Sequence, residues 1–307
     1  MTQVLWTQKQ ETGPSPRRDH KMSYDLARGR VFLFGGISGD VGPVFNDSWE
    51  WDGECWTQVA DVGPTSRFGH ATAGNSRQRK VVLFGGFALG GSASDTWEWD
   101  GSDWTQVADT GPSPRHNHAM AYDSKRDRII LFSGRVGVKR GEISFPSDTW
   151  AWDGNDWTQI EDTGPAGRSG HAMAYDTARD RVVLFGGDST TDTWEFDGTT
   201  WSKATTMGPE ACINCAMVYD EHQILLFGGE RAGSPTVHFN STWTRTGKHW
   251  TQRQDIGPSP RSLHSMAYDS KRSRVVLFGG ANPQSGQDQL GDTWEQFERP
   301  ILRSNGG

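Results

Sequence analysis

Helical periodicity is missing from this sequence. No window of the 307 residues repeats its apolar side chains at the 3.6-residue spacing of an amphipathic helix, so strands must carry the fold. Cysteine is scarce: three residues, an odd number, give no disulfide framework. Basic runs are absent and the net charge is −7, which removes the electrostatic footprint that nucleic acid requires. No apolar stretch approaches the length of a membrane span. The first residues read directly as a strand, with no basic-then-apolar leader. These absences lead us to expect a soluble, cytoplasmic protein with neither nucleic acid nor membrane as partner. The apolar share is only 34%, but 38 glycines bring the total near an ordinary globular value.

What is present is a repeat. Between Gly164 and Trp201 the chain reads GPAGRSGHAMAYDTARDRVVLFGGDSTTDTWEFDGTTW. The runs AMAYD, RVVLFGG and DTWEFDG are rich in Val, Phe, Tyr, Trp and Thr, and they are separated by turn signals, which describes a four-stranded antiparallel meander. The double glycine returns at Gly35-Gly36, Gly85-Gly86, Gly186-Gly187, Gly228-Gly229 and Gly279-Gly280, with Ser133-Gly134 in its place once. Trp49, Trp97, Trp150, Trp194, Trp243 and Trp294 follow it, and a second Trp ends most units. The spacing is about 50 residues.

This pattern resembles the kelch-repeat family of β-propellers over nearly the whole chain. The resemblance implies an all-β, six-bladed propeller with four-stranded antiparallel blades, occupying residues 1–298 as one domain, with a tail at 299–307. The sixth unit lacks its closing Trp-Thr-Gln, and the chain begins with Trp6-Thr7-Gln8. The strand at residues 4–8 should therefore complete the last blade and close the ring, removing exposed sheet edges. A monomer is expected.

The first strand of each unit begins Pro-Arg-x-x-His-x-Met-x-Tyr-Asp or close to it. Counting alternate faces from the arginine places Arg with small residues such as Gly69, Ala71 and Ala73, and places His, Met and Tyr on the opposite side. Small side chains suit the crowded walls of a central channel. By this count Arg17, Arg67, Arg115, Arg168 and Arg261 frame the channel mouth. Arginines at this place line the binding face of kelch proteins that recognise acidic peptides, as the resemblance implies. A guanidinium fork suits carboxylate or phosphate. The competing reading pairs each Arg with Glu50, Glu98, Glu195 or Glu295. Blade 1 departs from the pattern, because Asp19, Lys21 and Ser23 make its channel face polar.

The variable loops add Lys139, Arg140 and Phe145 from blade 3 and His238 from blade 5 as candidate ligand contacts, since loops on a rigid scaffold carry binding residues. His20, His70, His118, His171 and His264 share the face with Met and Tyr, so they are read as packing residues, not metal ligands. Cys212 and Cys215 form a CxxC on an expected strand, where they point to opposite faces, and no second CxxC exists. No metal and no cofactor are expected. The functional expectation is a binding module for an anionic ligand or acidic peptide. The alternatives are an isomerase or lyase acting on a small acidic or sugar-like substrate, and a scaffold without ligand. A copper-radical oxidase, another activity the kelch fold hosts, is set aside because all five Tyr sit on repeat positions.

Overall fold

The computed structural model describes residues 2–9, 12–137, 142–187, 189–204, 207–253, 257–283 and 289–300. Among them are six four-stranded antiparallel sheets. Blade 1 runs Lys21–Asp25, Arg30–Phe34, Ser48–Trp51 and Trp56–Ala60, and the later blades repeat this order outward from the axis. The second strand of each blade is apolar on both faces. Val31, Phe32, Leu33 and Phe34 are wholly buried because the neighbouring blades cover both sides. The turn after the inner strand is set by its final Asp: the Asp25 carboxylate accepts the amides of Ala27 and Arg28 at 2.9 and 3.1 Å.

The sixth blade joins the two ends of the chain. Thr2–Gln8 pairs antiparallel with Thr293–Pro300, with Trp6 opposite Gln296. The last strand thus runs two residues past the boundary of 298 expected from the sequence, because residues of the N-terminal strand extend its ladder to Pro300.

Two seams hold the blades to one another. On the outside, each closing Trp donates its indole N–H to a Ser or Thr hydroxyl of the preceding blade. Trp104 reaches Ser48, Trp157 reaches Thr96, Trp201 reaches Thr149 and Trp250 reaches Thr193, each at 2.9 Å. Trp6 reaches Thr242 at 3.2 Å, and Trp56 reaches Thr293 at 2.9 Å, so the seam passes through both termini. Gly111 shows why a glycine packs against each such Trp: a Cβ there would lie 2.6 Å from the Trp157 ring. On the inside, six backbone bonds form a closed cycle. Each amide of Asp19, Gly69, Asn117, Gly170, Asn214 and Leu263 donates to the carbonyl of the member before it, at 2.7–3.0 Å. All six residues have positive φ, between 53° and 68°.

Candidate functional site: the axial channel

The arginines are not at the channel mouth. Arg17, Arg67, Arg115 and Arg261 are at most 1% exposed. Each guanidinium is fully occupied inside its own blade. Arg17 donates Nε to the Ser15 carbonyl and Nη1 to the Gly35 carbonyl, both at 3.0 Å, and grips Asp47 with two bonds of 2.6 and 2.8 Å. Arg67 holds Asp95, Arg115 holds Asp148 and Arg261 holds Asp292 in the same bidentate way. Arg168 donates to the carbonyls of Ala166 and Gly186. The aspartate next binds the following Trp: the Trp97 indole reaches Asp95 at 2.7 Å. Burial pushes the Asp95 carboxyl up, but the bonds and charge of Arg67 and the indole of Trp97 outweigh it and hold it below the usual carboxylate range.

The arginines leave the channel face for one physical reason. Alternation holds only along an unbroken strand, and the residue two after each Arg is left-handed. Asp19 at φ 57° turns the chain, and the inner strand begins only at Lys21. The same turn corrects the reading of the CxxC. Asn214 at φ 58° lies between Cys212 and Cys215, neither is in a strand, and both are buried in one cluster. The Cys212 thiol is pushed well above its usual range by its hydrogen bond with Cys215 and then by burial.

The repeat glutamates do not meet the arginines either. They serve the contacts between blades. Trp51 of blade 1 donates to Glu295 of blade 6 at 3.1 Å, and Arg245 of blade 5 pairs with Glu195 of blade 4. Blade 3 has Ala151 in the glutamate position, and the residue facing it from blade 4 is Phe196, which has no donor; the two pack in one apolar cluster.

Of the loop candidates, Lys139 and Arg140 lie outside the described residues. Phe145 is 44% exposed. The His238 side chain is buried, with its Nε2 3.1 Å from Glu230. That carboxylate also accepts Asn214 and the Ser262 hydroxyl. The structure does not bring these side chains together with the arginines.

What the structure does build is a channel of about 520 Å³ along the axis, lined by the inner strands. Its wide end opens between Tyr24, Tyr122, Tyr175, Tyr219 and Tyr268. These rings are pinned by their hydroxyls, as in Tyr122 to Asp127 at 2.7 Å. Its narrow end is closed by the six-residue backbone cycle, where Asp19 and Lys21 line a small void. The walls are unequal. Blades 3 to 5 present Ala121, Ala174, Val218 and three methionines. Blades 1 and 2 present Lys21, Ser23 and Thr72, the last two joined at 2.7 Å.

Lys21 carries the only positive charge among the residues lining this channel. Its ammonium has no ion-pair or hydrogen-bond partner among the described residues. Burial lowers its pKa, and Asp19 opposes that only in part. Burial raises the Asp19 carboxyl to about 6, against the pull of Lys21 and Arg18. The five repeat histidines surround this end, each edge-on to a phenylalanine of the preceding blade. Burial, the neighbouring arginine and Lys21 keep them neutral, with His171 lowered to about 3. Among the described residues no three His, Cys, Asp or Glu side chains are grouped to hold a metal.

The family model for the KLHDC2/KLHL20/DRC7 Kelch-repeats domain matches residues 1–187 and 126–295. The chain belongs to the kelch-repeat family. Among solved structures, one titled "Structure of YjhT" superposes with a TM-score of 0.75 at 13% identity, covering 94% of this chain and 99% of that one. At that identity the likeness speaks for the fold alone. No curated protein matches the sequence. A kelch propeller is in general a binding or scaffold module. In the sequence the polar blade 1 positions Asp19, Lys21 and Ser23 stand out only as a departure from the repeat. Thr72, where other blades carry Met, was missed, although the substitution is visible in the repeat alignment.

Proposed function

We propose that this kelch propeller is a binding module that takes an anionic head group into its axial channel, with Lys21 as the counter-ion. One observation carries the reading: an ammonium without a partner among the described residues stands at the narrow end of a cavity whose facing wall, in blades 3 to 5, is largely alanine, valine and methionine. Lys21 is half-buried, and a partly desolvated charge left unpaired costs free energy that a ligand anion recovers. The cavity size is that of a small-molecule site. Ser23 and Thr72 sit beside Lys21 to orient a carboxylate or phosphate, and the alanine and methionine wall takes an apolar body. The carboxylate of an acidic peptide offers the same head group.

The test is a thermal-shift and calorimetric screen of sugar acids, aryl carboxylates, phosphorylated metabolites and short acidic peptides, run on wild type and on Lys21→Met. At least one anion should stabilise the wild type and leave the variant unchanged. If no anion distinguishes the two proteins, the reading fails. A second reading, an isomerase or lyase, has one observation in its favour: Asp19, raised to about 6 beside a lysine of lowered pKa, is acid–base equipment suited to neutral pH. Incorporation of solvent deuterium into a bound sugar acid, lost in Asp19→Asn, is the outcome that supports it, and no incorporation rejects it.

A further inference from the structure

Blade 5 has lost both halves of the internal ion pair. Cys212 stands where the other blades have Arg, and Ser241 stands where Asp47, Asp95, Asp148 and Asp292 stand. The loss leaves a space: a cavity of about 250 Å³ lies at this place, reaching from Cys212 past Gly228 and Phe239 to Ser241 and Trp243.

Much of what holds a guanidinium in blade 1 is still there. In that blade the Arg17 guanidinium lies 3.9 Å above the Phe45 ring. It is held by the carbonyls of Ser15 and Gly35 and by Asp47. Phe239, two residues before Ser241, is the counterpart of Phe45, two residues before Asp47. Its backbone makes the same contacts: Phe239 donates to the Gly229 carbonyl and accepts Arg261, as Phe45 donates to Gly36 and accepts Arg67. Gly228 is the counterpart of Gly35 and also has φ near 65°. Glu210 is the counterpart of Ser15, two residues before the vacated position, and it brings a carboxylate to the rim. That carboxylate is 67% exposed and, among the described residues, paired only with the exposed Arg231, a contact worth little in water. The seat therefore keeps an aromatic platform and a carbonyl, gains a hydroxyl, and has a carboxylate free to turn inward.

We propose that this blade 5 cavity is a binding site for a guanidinium group supplied from outside, stacked on Phe239 and bonded to the Gly228 carbonyl, Ser241 and Glu210. The group comes either from an arginine side chain of a partner protein or from a free guanidino compound. The chemistry is the same, since a planar cation with several donors in fixed directions is what the seat was shaped around. The site lies away from the channel and does not depend on Lys21.

The experiment uses the full chain, with binding read by calorimetry and by Trp243 fluorescence. The probes are methylguanidinium and an acetylated, amidated Gly-Arg-Gly peptide, each at low millimolar concentration, with methylammonium and Gly-Lys-Gly as controls. The guanidinium probes should bind and the ammonium controls should bind at least tenfold more weakly. Glu210→Gln should weaken the guanidinium probes by about tenfold, the loss of one charge-assisted hydrogen bond. The double variant Cys212→Arg/Ser241→Asp refills the seat from within and should abolish binding while raising Tm. Tighter binding of the peptide assigns the group to a partner protein; tighter binding of methylguanidinium assigns it to a small molecule. Absence of binding by either probe, or equal binding by wild type and both variants, overturns the proposal. Glu210→Gln changes an exposed side chain, so it keeps the test decisive if the double variant does not fold.

Discussion

Positive charge sits in two kinds of surroundings in this molecule, one fully buried and one half-buried, and they are opposite. Four repeat arginines, Arg17, Arg67, Arg115 and Arg261, each meet an aspartate and two carbonyls inside one blade. Lys21 meets nothing within bonding distance and faces an open channel. The first arrangement is closed: every donor that points inward is satisfied, so the arginine is a strut that ties the loop before the inner strand to the loop before the third. The second is open, and an open charge in a cavity is where a ligand gains most. Repetition of a charged residue around a ring therefore marked structure, and a departure from repetition, in blade 1, marked the candidate site.

The comparison breaks most easily at a strut. Arg115→Ala would leave the Ser133 carbonyl unpaired and the Asp148 carboxylate with only the Trp150 indole and the little water that reaches it, and is expected to cost about 3 kcal/mol in urea unfolding. Lys21→Met should leave stability unchanged or raise it. A cost below about 1 kcal/mol for Arg115→Ala would show that the struts are not structural.

Acid should act next. The five histidines are held neutral by burial, so their folded pKa values lie below the unfolded value of 6.5, with His171 near 3. Below pH 6.5 the unfolded chain binds protons that the fold refuses. Stability is then full above 6.5 and falls as pH drops towards 3, at about 1.4 kcal/mol per pH unit for each histidine. Urea midpoints between pH 7 and 4.5 measure this slope. A flat profile would mean that the ring accepts protons and that Lys21 does not stand among neutral neighbours.

Asp19 gives the smallest effect and the opposite sign. Its folded pKa is raised to about 6 from 3.8, so ionisation costs stability as pH rises through that window. Asp19→Asn should gain about 1 kcal/mol above pH 6, after allowance for contact with water, and nothing below pH ~4. A gain that is equal at both ends of the range would sever the link between Asp19 and the channel charge.

The fold was legible because its marks are local. A double glycine, a Tyr-Asp and two tryptophans recur in frame, and Trp6-Thr7-Gln8 supplies the segment missing after Trp294. The site was less legible because it depends on one backbone angle. Asp19, Gly69, Asn117, Gly170 and Asn214 are the residue types that tolerate the left-handed region, and their recurrence two places after the arginine was the available signal. Leu263 breaks the series and hides it. The co-substitutions were also within reach: Ala151 with Phe196 across one blade boundary, and Cys212 with Ser241 within one blade. Each makes sense only once it is known which positions face one another, and strand alternation alone does not say so.

The account turns on the state of one amine. The most direct measurement is the pH titration of the Lys21 side-chain Cε resonance by NMR, with and without an anion selected from the ligand screen. The expected midpoint lies below that of an ordinary lysine in the free protein and rises when the anion binds. An ordinary lysine titration, unmoved by any anion that binds the protein, would contradict it.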